Sequence, residues 1–110
     1  MQAVFVQKGD TIDYVPDVDV KYGDVAVVNE LLGVVNHDAK AGEQTSLAVT
    51  GIFDFPKITG GGTAMALGTK VYWNPGVKLA FNSPGGSTLI GIAVLEALDA
   101  AETVRVRLER

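Results

Sequence analysis

The 110-residue sequence contains no cysteine. Disulfide bonds, zinc–thiolate sites and a thiol nucleophile are therefore excluded. The chain also has a single histidine, and 13 acidic residues outnumber its 9 basic ones, which gives a formal net charge of −4. Because nucleic acids are bound chiefly through positive charge, we expect no nucleic-acid partner.

Long apolar runs are missing as well. The longest, such as residues 90–95, are far shorter than the roughly 20 residues that a membrane-spanning helix needs. The first residues lack the basic and apolar regions of a secretory signal. We therefore expect no membrane partner, and a chain of this length predicts one domain around one hydrophobic core.

Valine, isoleucine and threonine are abundant, and 13 glycines separate the runs that they form. β-branched residues favour strands, and glycine favours the turns between them. We predict an all-β fold, a small single-domain β-barrel or sandwich with long loops. The domain covers residues 9–110, and its predicted core residues are Val25, Val27, Val34, Leu47, Val49, Ile52, Val71, Ile90, Ile92, Val94, Val104, Val106 and Leu108.

Local patterns place some elements. Val104, Val106 and Leu108 share one face of a predicted strand over residues 103–109. The pattern also predicts a hairpin over residues 71–81 and single strands over residues 17–21 and 45–52. The glycine run at residues 59–63 predicts a flexible surface loop or a connection between two halves of the chain.

A weak internal repeat is visible. Three segments resemble later ones in the same order: 23–29 and 68–74, 31–35 and 89–93, and, with a one-residue slip, 41–45 and 100–103. The repeat predicts two similar β-units in one barrel or sandwich, and it favours a loop over a helix at residues 96–102. The alternative is chance similarity within a sequence rich in valine and glycine.

No constellation of catalytic residues emerges. Residues 62–68 place five rather than four residues between their glycines, and Thr69-Lys70 reverses the order that a phosphate-binding loop needs. His37 beside Asp38 could serve as a general base, which leaves a small hydrolase or lyase open. No serine has the glycine-flanked setting of a nucleophile elbow. We expect no enzyme activity and no cofactor.

Four aspartates could form a calcium site, because carboxylate oxygens are the ligands that calcium prefers. Their spacing differs from that of an EF-hand, and the interleaved valines fit a solvated strand face. We predict no metal site at Asp13, Asp17, Asp19 and Asp24.

Seven segments provide a further indication through their order along the chain: residues 25–28, 32–35, 41–43, 47–57, 68–73, 88–93 and 103–108. In this order they resemble the tailed-bacteriophage capsid cement, or decoration, proteins, over nearly the whole chain. The resemblance implies a non-catalytic structural protein that binds the outer surface of the capsid as a homotrimer and stabilises the shell. Its partner would be the major capsid protein, and it would be made in the bacterial host cytoplasm and reside on the virion.

An assembly role requires contact surfaces. The mean hydropathy of +0.24 is high for a small monomer and favours an oligomer. We predict interface roles for Phe5, Phe53, Phe55 and Trp73, and an extended N-terminal arm, residues 1–8, that pairs with a neighbouring subunit or a capsid strand. The alternative function is a carbohydrate-binding β-module displayed on a virion, with Tyr72 and Trp73 stacking on the sugar.

Overall fold

The computed structural model describes residues 2–5, 9–85 and 87–108, and it is an all-β, sandwich-like fold of two antiparallel sheets. The strands are β1 Thr11–Tyr14, β2 Val25–Val28, β3 Leu31–Val35, β4 Thr45–Ala48, β5 Ile52–Pro56, β6 Lys70–Asn74, β7 Leu79–Phe81, β8 Thr88–Ala93 and β9 Thr103–Leu108. The described part of the chain holds no helix with the length and apolar character that crossing a membrane requires.

The first sheet has the order β1-β4-β3-β2, and the second has the order β5-β9-β8-β6-β7. β6 and β7 form the predicted hairpin, with Trp73 opposite Ala80. The second sheet curls so that its outer strands approach one another. Lys57, just after β5, forms a single parallel bridge with Ala80, and the Ile58 N–H donates to Ala80 O at 3.1 Å.

The internal repeat is present in the architecture. β1, β4, β3 and β2 of the first sheet correspond to β5, β9, β8 and β6 of the second. We call residues 10–49 the first repeat and residues 51–108 the second. The relation between β1 and β5 was not visible in the sequence, and β7 has no counterpart in the first repeat.

Matching hydrogen bonds establish this correspondence. The Val49 N–H donates to Asp10 O, and the Leu108 N–H donates to Gly51 O, both at 2.9 Å. The isolated bridge between Val20 and Ala39 in the first repeat likewise matches the bridge between Met65 and Ala97 in the second. These bonds close the same loops in each repeat, so the similarity extends beyond the strands.

Two clusters of buried side chains form the core. The larger cluster contains side chains of the second sheet together with Leu32, Val34 and Ala48 of the first sheet. The smaller cluster, around Val35 and Leu47, lies on the other face of the first sheet. The predicted core residues that are buried are Val34, Leu47, Val71, Ile90, Val104, Val106 and Leu108. Half-buried ones are Val25, Val27, Val49, Ile92 and Val94.

Ile52 was wrongly predicted to lie in the core, because its side chain is 58% exposed. The predicted strand over residues 45–52 is in fact two strands, β4 and β5, separated at Thr50 and Gly51. Gly51 has a φ of 117°, which a side chain rarely tolerates. This turn resets the alternation, so that Phe53 and Phe55 point inward and Ile52 points outward.

The strand predicted over residues 17–21 is wrong, and of the two predictions for residues 59–63 the surface loop is the correct one. Residues 17–21 form no strand, because only Val20 pairs, through its bridge with Ala39. The glycine run at 59–63 is a surface loop between β5 and β6 of one sheet, not the connection between halves. It is also anchored, since the Asp99 carboxylate accepts hydrogen bonds from the backbone N–H groups of Thr63 and Ala64.

Candidate interaction surface

Three of the four predicted interface aromatics lie together, but they point inward. The Phe55 ring packs edge-on against Phe53, with ring centres 6.3 Å apart, and against Trp73 at 6.0 Å. Phe55 is 2% exposed and Trp73 is 5% exposed, so both belong to the core of this chain. Phe53 is half-buried beside them. A contact between subunits has to use other side chains than Phe55 and Trp73.

The burial of Trp73 also removes the basis for a sugar-binding platform. Stacking on a sugar ring needs one open face of the aromatic system. Trp73 is buried beside Phe55, and its neighbour Tyr72 is half-buried. The carbohydrate-binding alternative therefore receives no support from these two residues.

Phe5 occupies the opposite environment. It is 83% exposed, and Val4 beside it is 81% exposed. Of the predicted arm, residues 2–5 are described and form no regular element, whereas Met1 and residues 6–8 lie outside the described residues. This segment therefore presents two adjacent large apolar side chains to solvent.

A second exposed apolar group lies where the loop before β6 runs beside the loop after β8. Leu67, Leu95 and Leu98, which we call the leucine patch, are 70%, 56% and 64% exposed. The bridge between Met65 and Ala97 joins the two loops, and Leu95 and Leu98 line one open groove of about 470 Å³. The sequence alone does not reveal this patch, because its members belong to two loops that are far apart in the chain.

The third feature is a cleft along β2, the outer strand of the first sheet. It has a volume of about 410 Å³, and Tyr14, Val20, Ala26 and Val35 contribute apolar side chains to its wall. Pro56, Trp73 and Lys78 of the second repeat line the same cleft. A smaller cleft of about 190 Å³, which includes Tyr22, Phe53 and Phe55, shares Gly23, Val25 and Pro56 with it. The two clefts therefore meet at the start of β2.

Three aspartate side chains in the first repeat hold loops together through hydrogen bonds to the backbone. Carboxylate oxygens of Asp19, Asp24 and Asp38 accept hydrogen bonds from the backbone N–H groups of Ala41, Lys21 and Tyr22, respectively. Within the described residues, no group of three acidic or histidine side chains lies close enough to hold a metal ion.

His37 lies in one of these loops and is exposed. Its carbonyl oxygen accepts a hydrogen bond from the Thr45 hydroxyl at 2.9 Å. Its imidazole makes no hydrogen bond with a described residue, so nothing orients it as a general base would be oriented.

One ion pair connects the outer face of β5 to β9. Asp54 and Arg105 face each other in the strand register, with Nε donating to Oδ1 at 2.9 Å and Nη2 donating to Oδ2 at 3.2 Å. The Arg105 hydrogen bonds, with a smaller contribution from its charge, lower the pKa of Asp54 below its ordinary value of 3.8 despite a small opposing effect of desolvation. Both side chains are about half exposed, so the pair contributes little to stability.

One of three comparisons with known proteins gives a match. No curated protein matches the chain, and no solved structure matches it. A family model described as phage cement protein matches residues 6–108, which is nearly the full length and includes both repeats. The chain therefore belongs to the phage cement protein family.

Proposed function

We propose that this protein binds the outer surface of a phage capsid as a homotrimer, contacts the major capsid protein there and stabilises the shell without catalysing a reaction. The family match over residues 6–108 is the observation that carries this proposal. A cement protein requires contact area rather than a reactive site, and exposed apolar groups supply such area. Its site of action would be the virion, after synthesis in the bacterial host cytoplasm.

The leucine patch is the surface that we assign to the capsid. Its three leucines are exposed, and two of them, Leu95 and Leu98, line a groove that can accept a side chain from a partner. Burial of one leucine side chain stabilises a contact by roughly 1.5–3 kcal/mol. A cement protein repeats that contact at every site on the shell, so a modest contact per chain is sufficient.

The proposal is tested by sedimenting the purified protein with expanded phage capsids that lack it. We expect co-sedimentation, and light scattering of the free protein should give three times the chain mass of 11.6 kDa. Failure to co-sediment with any capsid preparation would contradict the capsid role. A monomeric mass both in solution and after release from the capsid would contradict the trimer.

Variants of the leucine patch locate the contact. Leu67→Ser and Leu98→Ser should each weaken capsid binding about tenfold, which corresponds to about 1.4 kcal/mol. Val77→Ser is the matched control, because Val77 is 55% exposed in the β6–β7 turn, outside the patch. Equal capsid binding by all three variants would show that the capsid contact lies elsewhere on the molecule.

A further inference from the structure

The two repeats differ at one edge, and that difference identifies a docking site. In the second repeat, β7 covers the outer edge of β6. β2 is the counterpart of β6, and no described strand covers its outer edge. Unpaired backbone groups on an exposed edge are a template for an additional strand.

The correspondence between β2 and β6 can be followed residue by residue, and the two ladders differ in that the β6–β8 register shifts between Val71 and Tyr72 whereas the β2–β3 register is continuous. The Gly23 N–H donates to Val35 O, just as the Gly68 N–H donates to Ala93 O. Counting from Gly23 and Gly68, Val27 corresponds to Tyr72 and Val28 to Trp73. Tyr72 and Trp73 are the residues that pair with Phe81 and Ala80 of β7.

The backbone groups of β2 are oriented for such pairing. The Val35 N–H donates to Asp24 O. Because bonded pairs alternate along an antiparallel ladder, Ala26 and Val28 bond to β3, and Val27 directs its N–H and C=O outward. Val28 is 42% exposed, whereas its counterpart Trp73 is 5% exposed.

The space beside β2 also matches the space that β7 fills. Tyr14, Val20, Ala26 and Val35 of the cleft correspond to four members of the core cluster that encloses the fully buried Ala80. Those members are Phe55, Met65, Val71 and Ala93. The first repeat therefore has the apolar wall of a strand site, with an open cleft where the second repeat has its own strand.

We infer that the N-terminal arm of a second copy of this chain adds a strand to β2 beside the cleft, antiparallel to β2 as β7 is to β6. The arm sequence Ala3-Val4-Phe5 is apolar like the β7 sequence Leu79-Ala80-Phe81, with phenylalanine at the same end. In this register Phe5 lies opposite Val27, and Val4 lies opposite Val28. Both arm side chains, exposed in the single chain, become covered.

The reach of the arm favours a second copy over the same chain. The chain enters the first sheet at Asp10, beside β4, and the proposed site lies beyond β2 at the other side of that sheet. Four strand spacings of ~4.8 Å amount to roughly 19 Å. Five residues from Asp10 to Phe5 extend at most about 18 Å, so the arm of the same chain ends before it can pair. Three arms passed head to tail close a ring, which is how this inference rests on the proposed trimer.

Cysteine pairing tests the register directly, because the chain has no cysteine of its own. Val4 and Val28 would form a non-hydrogen-bonded pair, with Cα atoms about 4.5 Å apart, which a disulfide can bridge. Mixing Val4→Cys protein with Val28→Cys protein under oxidising conditions should give a covalent heterodimer. Val4→Cys mixed with Leu98→Cys is the control and should give only background.

A proline scan of the two free edges provides the second readout. Val27→Pro removes the outward N–H of β2 while sparing its ladder with β3, and the light-scattering mass should fall from three chains to one. Asp13→Pro is the matched control, because Asp13 lies on β1, the other free edge, and is exposed. Circular dichroism of both variants confirms that the sheets persist.

The outcomes separate this inference from the proposed function. Absence of the heterodimer, both free and on capsids, or a trimer mass that Val27→Pro leaves unchanged, overturns the arm exchange. An intrachain disulfide in the Val4→Cys/Val28→Cys double variant, with none between the single variants, assigns the cleft to the arm of the same chain and also overturns it. The capsid role is judged separately, by co-sedimentation of the unmodified protein.

Discussion

At the scale of single residues, Lys57 has the least typical environment, because a lysine is only 2% exposed. Its Nζ donates to Ile58 O at 2.8 Å and lies 3.3 Å from the Thr63 hydroxyl and 3.4 Å from Ala101 O. These contacts join the glycine loop between β5 and β6 to the loop before β9. A buried polar group is tolerated only when such partners are present, and its partners depend on it in turn.

Replacement of this lysine should therefore destabilise the fold. Lys57→Met leaves the loop carbonyls without a donor, and we expect the free energy of unfolding to fall by roughly 2–4 kcal/mol. Urea unfolding measures the change, and Lys70→Met at the exposed start of β6 is the control, expected within about 0.5 kcal/mol of the unmodified protein. A loss for Lys57→Met as small as that of the control would show that the loops do not depend on Lys57.

The Asp54–Arg105 pair predicts a small pH dependence with a definite sign. The pKa of Asp54 is lowered in the folded protein, so ionised Asp54 stabilises the fold. This contribution to stability is complete above the ordinary pKa of 3.8 and is lost as pH falls through the lowered pKa. Asp54→Asn should consequently lower the melting temperature slightly at pH 7 and not at pH 2. Melting curves at both pH values, with and without 1 M salt, measure this. A difference that persists at pH 2 would assign the effect to something other than the ion pair.

At the scale of strands and loops, the sequence predicts local features better than connections. The alternation of Val104, Val106 and Leu108 is confirmed in β9, because a strand with one buried face shows its period directly. The turn at Thr50 and Gly51 was missed, since valine, glycine and isoleucine continue the apolar pattern across it. Burial of Phe55 and Trp73 was not predictable either, because it depends on which strands meet across the second sheet.

The candidate interaction surfaces also differ in how far the sequence predicts them. The exposed apolar arm could be predicted in part from its sequence, because Val4 and Phe5 lie in a short apolar run. The leucine patch and the cleft along β2 could not, since each is assembled from segments that are distant in sequence. The repeat was visible in three segments, but its most informative feature, the uncovered edge of β2, is apparent only when the two sheets are compared.

Removal of the arm tests its role as a separable element. Residues 2–5 are exposed in the single chain, so deletion of residues 1–8 should leave the fold of each chain intact and remove only the stability that trimer formation adds. Capsid binding should fall much further, because a single chain loses the avidity of three linked contacts. Co-sedimentation with capsids measures the loss, and Ala3→Ser serves as the control with a full-length arm. Equal capsid binding by the truncated chain would exclude the arm from assembly.

At the scale of the whole molecule, the two repeats share one core. Leu32, Val34 and Ala48 of the first sheet belong to the same buried cluster as Trp73 of the second. We therefore expect the repeats to unfold together in one cooperative transition. Trp73 is the sole tryptophan, so its fluorescence reports on the second sheet alone, whereas far-ultraviolet circular dichroism reports on both sheets. Urea curves from the two signals should coincide in the chain lacking residues 1–8, where oligomerisation does not add to the measured stability. A fluorescence midpoint separate from the dichroism midpoint would show instead that each repeat is an independent folding unit and that the contact between the sheets stabilises neither.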